Sequence, residues 1–224
     1  MPGYYTERLS AERLRGCYEI APPRVRQYLD EEIRHAARAI RPTDCVLELG
    51  CGYGRILERL QDRTARLVGI DTSAASLRLA HEILGEHSGC RLLLMDASHL
   101  ALCRASFDVV LCLQNGLSAF HVEPRAVIEE AVRVTRPSGS VLLSSYSERF
   151  WRHRLEWFRL QADRGLLGSI DEQATGGGVI VCTDGFRAST ISPERFISLV
   201  SGLPVRWHLR EIDGSSLFCE LTVE

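Results

Sequence analysis

Glycine occupies alternate positions in the stretch Val46-Leu47-Glu48-Leu49-Gly50-Cys51-Gly52-Tyr53-Gly54-Arg55. The apolar residues before the first glycine predict a buried strand over 45–49, and a helical pattern resumes over 55–61. Glycines between a strand and a helix let a ligand approach the backbone closely, because they carry no side chain. The helix that follows offers free N–H groups and the positive end of its dipole to an anionic group. These features are generic to nucleotide-binding folds.

Outward from this turn, short apolar runs alternate with amphipathic segments. We predict further strands over 66–70, 91–95, 107–113 and 140–144, and helices over 73–86 and 126–134. Strands that alternate with helices favour a parallel sheet covered by helices on both faces. Upstream, apolar residues at helical spacing predict a helix over 24–40, which Pro42 ends. A turn at Pro137-Ser138-Gly139 is predicted to separate the last helix of this series from its strand.

The regular alternation of predicted strands and helices ends after Ser145. A helix is predicted over 149–163, and two apolar runs around Thr183-Asp184-Gly185 predict a hairpin. Ser192 and Pro193 are typical of the start of another helix, which should run through Val200. Two final runs, 205–212 and 217–223, predict a second hairpin that closes one edge of the sheet in antiparallel fashion.

The composition indicates one globular domain. The chain has 224 residues, of which 45% are hydrophobic, enough for one substantial core. The formal net charge is -2 and the arginines are scattered, so we expect no nucleic-acid partner. No apolar run approaches the ~18 residues of a membrane span. The first residues lack the apolar core of a signal peptide, so we expect a cytoplasmic protein whose eight cysteines are reduced thiols.

The spacing of the glycines narrows the class of ligand. A dinucleotide fingerprint would need glycine at position 55, where this chain has Arg55. The pattern is instead E-x-G-x-G-x-G, which resembles the first motif of the class I S-adenosylmethionine-dependent methyltransferases. Asp71 ends the second predicted strand, 21 residues beyond Gly50, and Asp96 ends the third, where that family keeps acidic residues. The segments 107–113 and 136–140 resemble its later motifs, so the resemblance covers about 44–146 and the terminal hairpin.

The resemblance implies a specific architecture. We expect a three-layer Rossmann-like α/β sandwich with a seven-stranded, mostly parallel sheet and an antiparallel C-terminal strand. N-terminal helices and a helix/hairpin cap insertion complete the expected fold. The chain is thus interpreted as a single methyltransferase domain over 1–224, with a helical lid at 1–41 and a cofactor-binding core at 42–146. The cap insertion occupies 147–191, and the C-terminal helix and hairpin at 192–224 complete the sheet.

The resemblance also implies the cofactor, S-adenosyl-L-methionine, with S-adenosyl-L-homocysteine as product. In this family the position of Asp71 accepts both ribose hydroxyls, and those of Asp96 and Ala97 read the adenine edge. Either aspartate would also suit a helix cap or a turn. Glu48 is expected to orient the loop. The residues predicted to bind the cofactor are Glu48, Gly50, Cys51, Gly52, Gly54, Asp71, Thr72, Asp96, Ala97 and Leu113.

The acceptor is expected to be a small molecule held beyond the fourth and fifth strands. Methyl transfer is an in-line displacement that depends on positioning, and it needs a general base only when the nucleophile holds its proton tightly. His121 and Tyr146 are candidates for that base, although a lone histidine near a helix start is more often a cap or surface residue. The aromatic stripe of the cap helix and its arginines suggest an apolar, anionic acceptor, although such a stripe also suits core packing. The predicted acceptor contacts are Tyr4, Tyr5, Gln114, Asn115, Phe150, Arg154 and Trp157.

Several alternatives remain open at this level. The acceptor atom could be O, N, S or C, and the protein could be a monomer or a homodimer. Gln114-Asn115-Gly116-Leu117 differs from the N-P-P-Y motif of enzymes that methylate nucleobase or glutamine nitrogens, and no acidic cluster predicts a metal. The layout is most similar to small-molecule methyltransferases of the ubiquinone/menaquinone-biosynthesis type. A non-catalytic module that binds the cofactor is the second hypothesis, and a nicotinamide oxidoreductase is disfavoured by Arg55 and the terminal hairpin.

Overall fold

The computed structural model describes residues 4–85 and 89–224. Within these residues seven strands form one sheet in the order β3-β2-β1-β4-β5-β9-β8. Its strands are β1 (Cys45–Leu49), β2 (Arg66–Asp71), β3 (Cys90–Leu94), β4 (Phe107–Cys112), β5 (Thr135–Tyr146), β8 (Val205–Ile212) and β9 (Ser216–Val223). Strands β1 to β5 are parallel, and β9 pairs antiparallel with both β5 and β8. The predicted sheet and its antiparallel C-terminal strand are confirmed.

Helices cover both faces of this sheet. They are α1 (Tyr4–Glu7), α2 (Ala11–Glu19), α3 (Pro23–Ala37), α4 (Arg55–Leu60), α5 (Ala74–Leu84), α6 (Gly116–Ala119), α7 (Pro124–Val134), α8 (Trp151–Asp163) and α9 (Pro193–Val200). Successive strand residues point to opposite faces, and Leu47 accordingly packs with α7 and α9 while its neighbour Val46 packs with α3, α4 and α5. One apolar cluster therefore lies on each face of the sheet, between the sheet and the helices that cover it. The helices of one face, the sheet and the helices of the other face are the three layers of the fold.

Local capping chemistry sets two of the predicted helix starts. The Ser73 side chain accepts a hydrogen bond from the backbone N–H of Ser76 at 3.1 Å, and Ser192 accepts one from Arg195 at 3.2 Å. Both serines stand outside the helix with extended backbone, as N-caps do. Glu86, at the predicted end of the first of these helices, lies outside the described residues, as do residues 1–3 of the predicted lid.

Strand β5 differs from its prediction. The sequence predicts a turn at 137–139 and a strand over 140–144, whereas β5 extends over Thr135–Tyr146. Thr135 pairs with Phe107 and Ser140 with Val109, so extra residues of β5 bulge out between two closely spaced partners on β4. Proline has no N–H for the ladder, and Ser138 has a φ of +65°, so the predicted turn becomes a bulge inside a longer strand.

A smaller unit packs at the carboxyl end of β5. A 3₁₀ turn (Glu148–Phe150) leads into α8, and the predicted hairpin is present as β6 (Val179–Val181) and β7 (Arg187–Ser189). Its buried residues form a third apolar cluster with the N-terminal helices, to which Tyr146, the last residue of β5, also belongs. The N-terminal helices and the α8–β7 segment therefore meet above the carboxyl ends of the parallel strands.

No helix in the described ranges is long and apolar enough to cross a membrane.

Candidate active site

A cavity of about 460 Å³ lies where the parallel strands end. Its floor includes Gly50 after β1, Asp71 at the end of β2 and Leu113 after β4. Aromatic residues of the N-terminal helices and of α8 form the opposite wall, among them Tyr18 and Trp157. Open α/β sheets bind ligands in this crevice, since the carboxyl ends of their strands converge there.

The glycine turn forms one side of the cavity with its bare backbone. Gly50 has a φ of +71°, a conformation that L side chains rarely adopt, and a Cβ atom there would lie 2.4 Å from Cε1 of Phe120. Gly50 and Gly52 line the cavity, whereas Gly54 packs against Ala80 of α5. The start of the turn therefore lies against the Phe120 ring and the cavity, and its end lies against α5. Neither place leaves room for a side chain on the turn.

Asp71 joins the glycine turn to the start of α5. The backbone N–H of Gly52 donates to Oδ2 of Asp71 at 2.9 Å, and that of Ser73 donates to Oδ1 at 2.7 Å. Burial raises the pKa of this carboxyl above its ordinary value, against the effect of these bonds. Each carboxylate oxygen has a second lone pair for a further donor. The capping role and a ligand role are therefore compatible.

The end of β3 adds a second carboxylate at the cavity rim. Oδ1 of Asp96 accepts from the backbone N–H of Ser98 at 2.8 Å and from its hydroxyl at 2.7 Å. This is the turn role that the sequence left open. Asp96 is exposed, and it lines the cavity together with Met95 and the buried Ala97.

Two charged side chains beside the turn have buried atoms that make no hydrogen bond with the rest of the described chain. These are Oε2 of Glu48 and Nη2 of Arg55, and both residues line the cavity. Glu48 is 3% exposed, and burial raises its pKa to about 8, with nearby Arg55 opposing the rise. The Arg55 guanidinium lies 4.5 Å above the centre of the Tyr18 ring.

Glu32, a buried residue of α3, supports the turn that follows β4. The backbone N–H of Gln114 donates to Oε2 of Glu32 at 2.9 Å, and the Ser216 hydroxyl donates to the other oxygen. Burial raises the pKa of Glu32 to about 7. Gln114 has a φ of +54° and lines the cavity, where its Nε2 is buried without a partner among the described residues. Glu32 therefore supports a strained turn that presents an amide group to the cavity.

Some of the predicted acceptor and base residues reach the cavity wall. Tyr5, Gln114 and Trp157 line it, as do the two base candidates. His121 is exposed at the rim, whereas Tyr146 is buried, which raises the pKa of its hydroxyl well above the ordinary value. The Trp157 indole N–H donates to the carbonyl of Cys17 at 2.9 Å, so this ring is fixed to α2.

Four predicted acceptor contacts lie behind the wall instead of on it. The Tyr4 hydroxyl donates to Asp184, and Phe150 is fully buried in the apolar cluster. The Asn115 side chain bridges Ser189 and Ser145. The Arg154 guanidinium is fully buried, donates to the carbonyls of Gly178 and Ala188 at 2.9 and 3.0 Å, and lies 4.4 Å from the centre of the Tyr146 ring. The Tyr4, Asn115 and Arg154 side chains are therefore engaged in bonds that hold the N-terminal helices or the α8–β7 segment, since a buried polar group needs a partner. Only Nε of Arg154 is buried without a partner among the described residues of these four side chains.

Residues 46–139 match a sequence family described as a methyltransferase domain. The matched segment contains the glycine turn, Asp71 and Asp96. A ubiquinone biosynthesis O-methyltransferase from Hahella chejuensis is 34% identical over 132 residues, which cover 57% of this chain and 51% of the relative. The chain therefore spans about half the length of the curated relatives that it matches.

Solved structures show the same fold. A protein from Pyrococcus horikoshii OT3 has a TM-score of 0.65 at 20% identity, over 91% of this chain and 92% of that one. A SAM-bound amino pentose methyltransferase from Micromonospora echinaspora has a TM-score of 0.58 at 18% identity, over 86% of this chain and 90% of that one. At such identities the likeness concerns the fold alone.

The polar groups around the cavity fit S-adenosylmethionine. Asp71 retains lone pairs for ribose hydroxyls, and the glycine turn has no side chains to obstruct a ligand. The unpartnered oxygen of Glu48 suits an ammonium group, because a buried carboxylate is costly unless it is paired. Within the described ranges, no cluster of three His, Cys, Asp or Glu residues could hold a metal ion.

Sequence reasoning missed several residues around the cavity. Arg55 served only to exclude a dinucleotide fingerprint, although it stands in the quoted stretch. Tyr18, Phe120 and Glu32 come from segments whose local pattern predicts helix or loop and nothing more. Their roles depend on contacts with residues far away in the chain.

Proposed function

We propose that this chain transfers the methyl group of S-adenosylmethionine to a small-molecule acceptor bound in the same cavity. The observation that carries the proposal is the bond between the Gly52 N–H and Oδ2 of Asp71, at 2.9 Å. It fixes the bare turn and the carboxylate side by side at the edge of the sheet. A ligand with a ribose and an amino-acid tail would contact both.

Each predicted cofactor residue receives a role in this proposal, and that of Glu48 is to place its unpartnered oxygen near the ammonium group of the tail. Asp71 accepts the ribose hydroxyls, with Thr72 beside it, while Asp96 and Ala97 bound the adenine edge. Gly50, Cys51 and Gly52 line the path of the tail, and Leu113 forms the floor. Gly54 acts indirectly, because its lack of a side chain lets α5 pack against the turn.

The acceptor side is proposed to work by positioning and by exclusion of water. The bound cofactor supplies an electrophilic methyl carbon. The chain must hold the acceptor atom in line with the carbon–sulfur bond, whose electron pair stays on sulfur as the new bond forms. Tyr5, Tyr146 and Trp157 enclose this end, and the Gln114 amide offers a donor that orients the acceptor.

A base is needed only for an acceptor that binds with its proton. Tyr146 stays protonated because burial raises its pKa, so it serves as a hydrogen-bond donor and not as the base. His121, exposed at the rim, is the residue placed to accept a proton and release it to solvent. The name of the Hahella relative supports an oxygen nucleophile.

The domain organisation follows the same proposal, with a lid at 1–41 and a cap at 147–191 around the core. Two contacts support it. Oγ1 of Thr6 lies 2.8 Å from Oγ1 of Thr72 in the core, and the Tyr4 hydroxyl donates to Asp184 of the cap at 2.5 Å. The N-terminal segment thus bridges both sides of the cavity.

Two experiments test the function. Calorimetric titration should show binding of S-adenosylhomocysteine and none of NADH. Asp71→Ala should weaken the binding at least ~10-fold, because hydrogen bonds to charged groups are worth about 1.5–3 kcal/mol, while Asp163→Ala, an exposed control on α8, should not change it.

A screen of phenols, quinols, carboxylates, amines and thiols with labelled methyl donor then identifies the acceptor. Binding without transfer to any of these classes would favour a non-catalytic module. Absence of any affinity for the donor or its demethylated product would refute the proposal.

A further inference from the structure

Arg154 is a buried cation close to the aromatic wall of the cavity. Its guanidinium carbon lies 4.4 Å from the ring centre of Tyr146 and 5.6 Å from that of Phe158. Both of these rings line the cavity, whereas Arg154 is 0% exposed and lies behind them. The guanidinium donates to two backbone carbonyls, and its Nε is buried without a partner among the described residues. A positive charge therefore lies behind the wall at the acceptor end of the cavity.

No carboxylate in the described part of the chain pairs with Arg154. The ion pairs found there all involve other residues. The surrounding tyrosines, Tyr5, Tyr28 and Tyr146, are neutral, because burial raises the pKa of each hydroxyl well above its ordinary value. Burial lowers the pKa of the guanidinium, but arginine remains protonated in proteins. Since a buried charge is costly unless it is paired, this wall favours an anionic ligand.

Glu32 is an acidic residue that opposes this charge at Tyr146. Arg154 lowers the pKa of the Tyr146 hydroxyl by more than Glu32 raises it. Burial also raises the pKa of Glu32 to about 7, so this carboxyl is only partly ionised at neutral pH. The carboxylates that line the cavity stand in β1 or just where β2 and β3 end, on the side proposed for the cofactor, and they are Glu48, Asp71 and Asp96. The acceptor end is therefore positive on balance.

The volume of the cavity limits the acceptor to a compact molecule. Sites that hold one drug-sized ligand have volumes of about 300–1,000 Å³, and this cavity offers about 460 Å³ to cofactor and acceptor together. An acceptor atom in contact with the Tyr146 ring would lie within about 10 Å of the Arg154 guanidinium carbon. Opposite charges at that separation attract each other appreciably when the effective dielectric constant is about 20, as in proteins. A compact acceptor cannot hold its charge far from this wall.

We propose that the acceptor is a compact carboxylate, selected by the positive charge of Arg154 behind the wall that Tyr146 and Phe158 form. The inference rests on the proposed function, because it names the class of acceptor that the methyl-transfer site takes. Arg154 does not touch the acceptor in this arrangement and acts by electrostatic attraction alone. Tyr5 and Tyr146 line the cavity, and their protonated hydroxyls are suitable donors to the carboxylate. The charge of the acceptor is independent of which of its atoms receives the methyl group.

Matched acids and amides measure the effect of the charge on wild-type protein. The protein is saturated with S-adenosylhomocysteine and titrated by calorimetry with benzoate and benzamide, and with butyrate and butyramide. The two members of each pair have nearly the same shape, and only the acid carries a charge. We expect each carboxylate to bind at least ~10-fold more tightly than its amide.

Variants on α8 assign this preference to one side chain. Arg154→Met removes the charge and should reduce the preference to less than ~2-fold, while S-adenosylhomocysteine still binds. Arg159→Met is the matched control and should keep the full preference, because Arg159 lies on the same helix but is exposed and paired with Glu172. Arg154→Gln is also neutral and keeps an amide donor for the carbonyls of the cap, so it replaces Arg154→Met if that variant does not fold.

The outcomes distinguish this inference from the function itself. If wild-type protein does not bind S-adenosylhomocysteine, the proposed function fails and the inference fails with it. If it binds S-adenosylhomocysteine but neither carboxylate binds more tightly than its amide, the function stands and the inference is overturned. The inference is also overturned if the neutral variants of Arg154 keep the preference, which includes equal weakening of acid and amide, because the residue would then be structural.

Discussion

Gly50→Ala is the substitution whose cost can be worked out most fully from the structure. Gly50 has a φ of +71°, and a Cβ atom there would lie 2.4 Å from Cε1 and 2.8 Å from Cζ of Phe120. The left-handed backbone costs an alanine about 1–2 kcal/mol. Displacing the ring adds about 1–3 kcal/mol, toward the lower end because Phe120 is only half-buried. We therefore expect the free energy of unfolding to fall by about 2–4 kcal/mol.

Urea denaturation followed by circular dichroism measures this loss, and two variants separate its parts. Gly202→Ala has a similar φ of +75° with nothing within 4 Å, so it should show the backbone cost alone. Gly50→Ala combined with Phe120→Ala should recover the cost of the ring, with a favourable coupling of about 1–3 kcal/mol. Affinity for S-adenosylhomocysteine should fall at least ~10-fold in Gly50→Ala, since the displaced ring and the new methyl group both occupy the cavity.

The reasoning is refuted if Gly50→Ala and Gly202→Ala lose the same stability and the double-variant coupling is zero. That result would mean that Phe120 moves without cost and that the ring does not constrain the turn.

Three further predictions concern the buried charges and the lid. Burial raises the pKa of Glu48 to about 8 from its ordinary 4.5, so the folded state holds a proton that the unfolded state has lost. Wild-type stability should therefore fall as pH rises toward 8, by up to about 1 kcal/mol per unit from this group. Glu48→Gln should show a shallower fall in denaturant titrations at pH 7 and 8, and equal slopes would contradict this. Arg154→Met leaves two cap carbonyls without their donor and should cost about 2–4 kcal/mol. It should hasten proteolysis of the cap while leaving affinity for S-adenosylhomocysteine within ~2-fold, because the residue is not on the cavity wall; a larger loss of affinity would place it there. Tyr4→Phe removes the bond to Asp184, so amide exchange over residues 4–9 should accelerate, and unchanged exchange would show that the bond does not hold the segment.

Features that depend on neighbours in the chain were predictable. The glycine turn, the Ser73 and Ser192 caps and the two hairpins arise from residues a few positions apart, whose backbone preferences act locally. The parallel sheet was also predictable, because strands alternate with helices, and so was the antiparallel terminal strand, because the chain ends in a predicted hairpin. The order of the strands came from the structure. The bulge in β5 was missed, since a bulge exists only relative to the register of its partner strand.

The sequence by itself therefore determined the type of fold and the places where strands end in glycine or aspartate. Only the tertiary structure decided which side chains share the cavity. The Arg55 guanidinium stacks on the Tyr18 ring, and the Glu32 carboxylate accepts a hydrogen bond from the Gln114 backbone. The Arg154 guanidinium donates to the carbonyl of Gly178 and does not line the cavity. The physical reason is that burial and charge pairing depend on segments from distant parts of the chain that pack together. The spacing of residues within one segment does not predict which other segment it will contact.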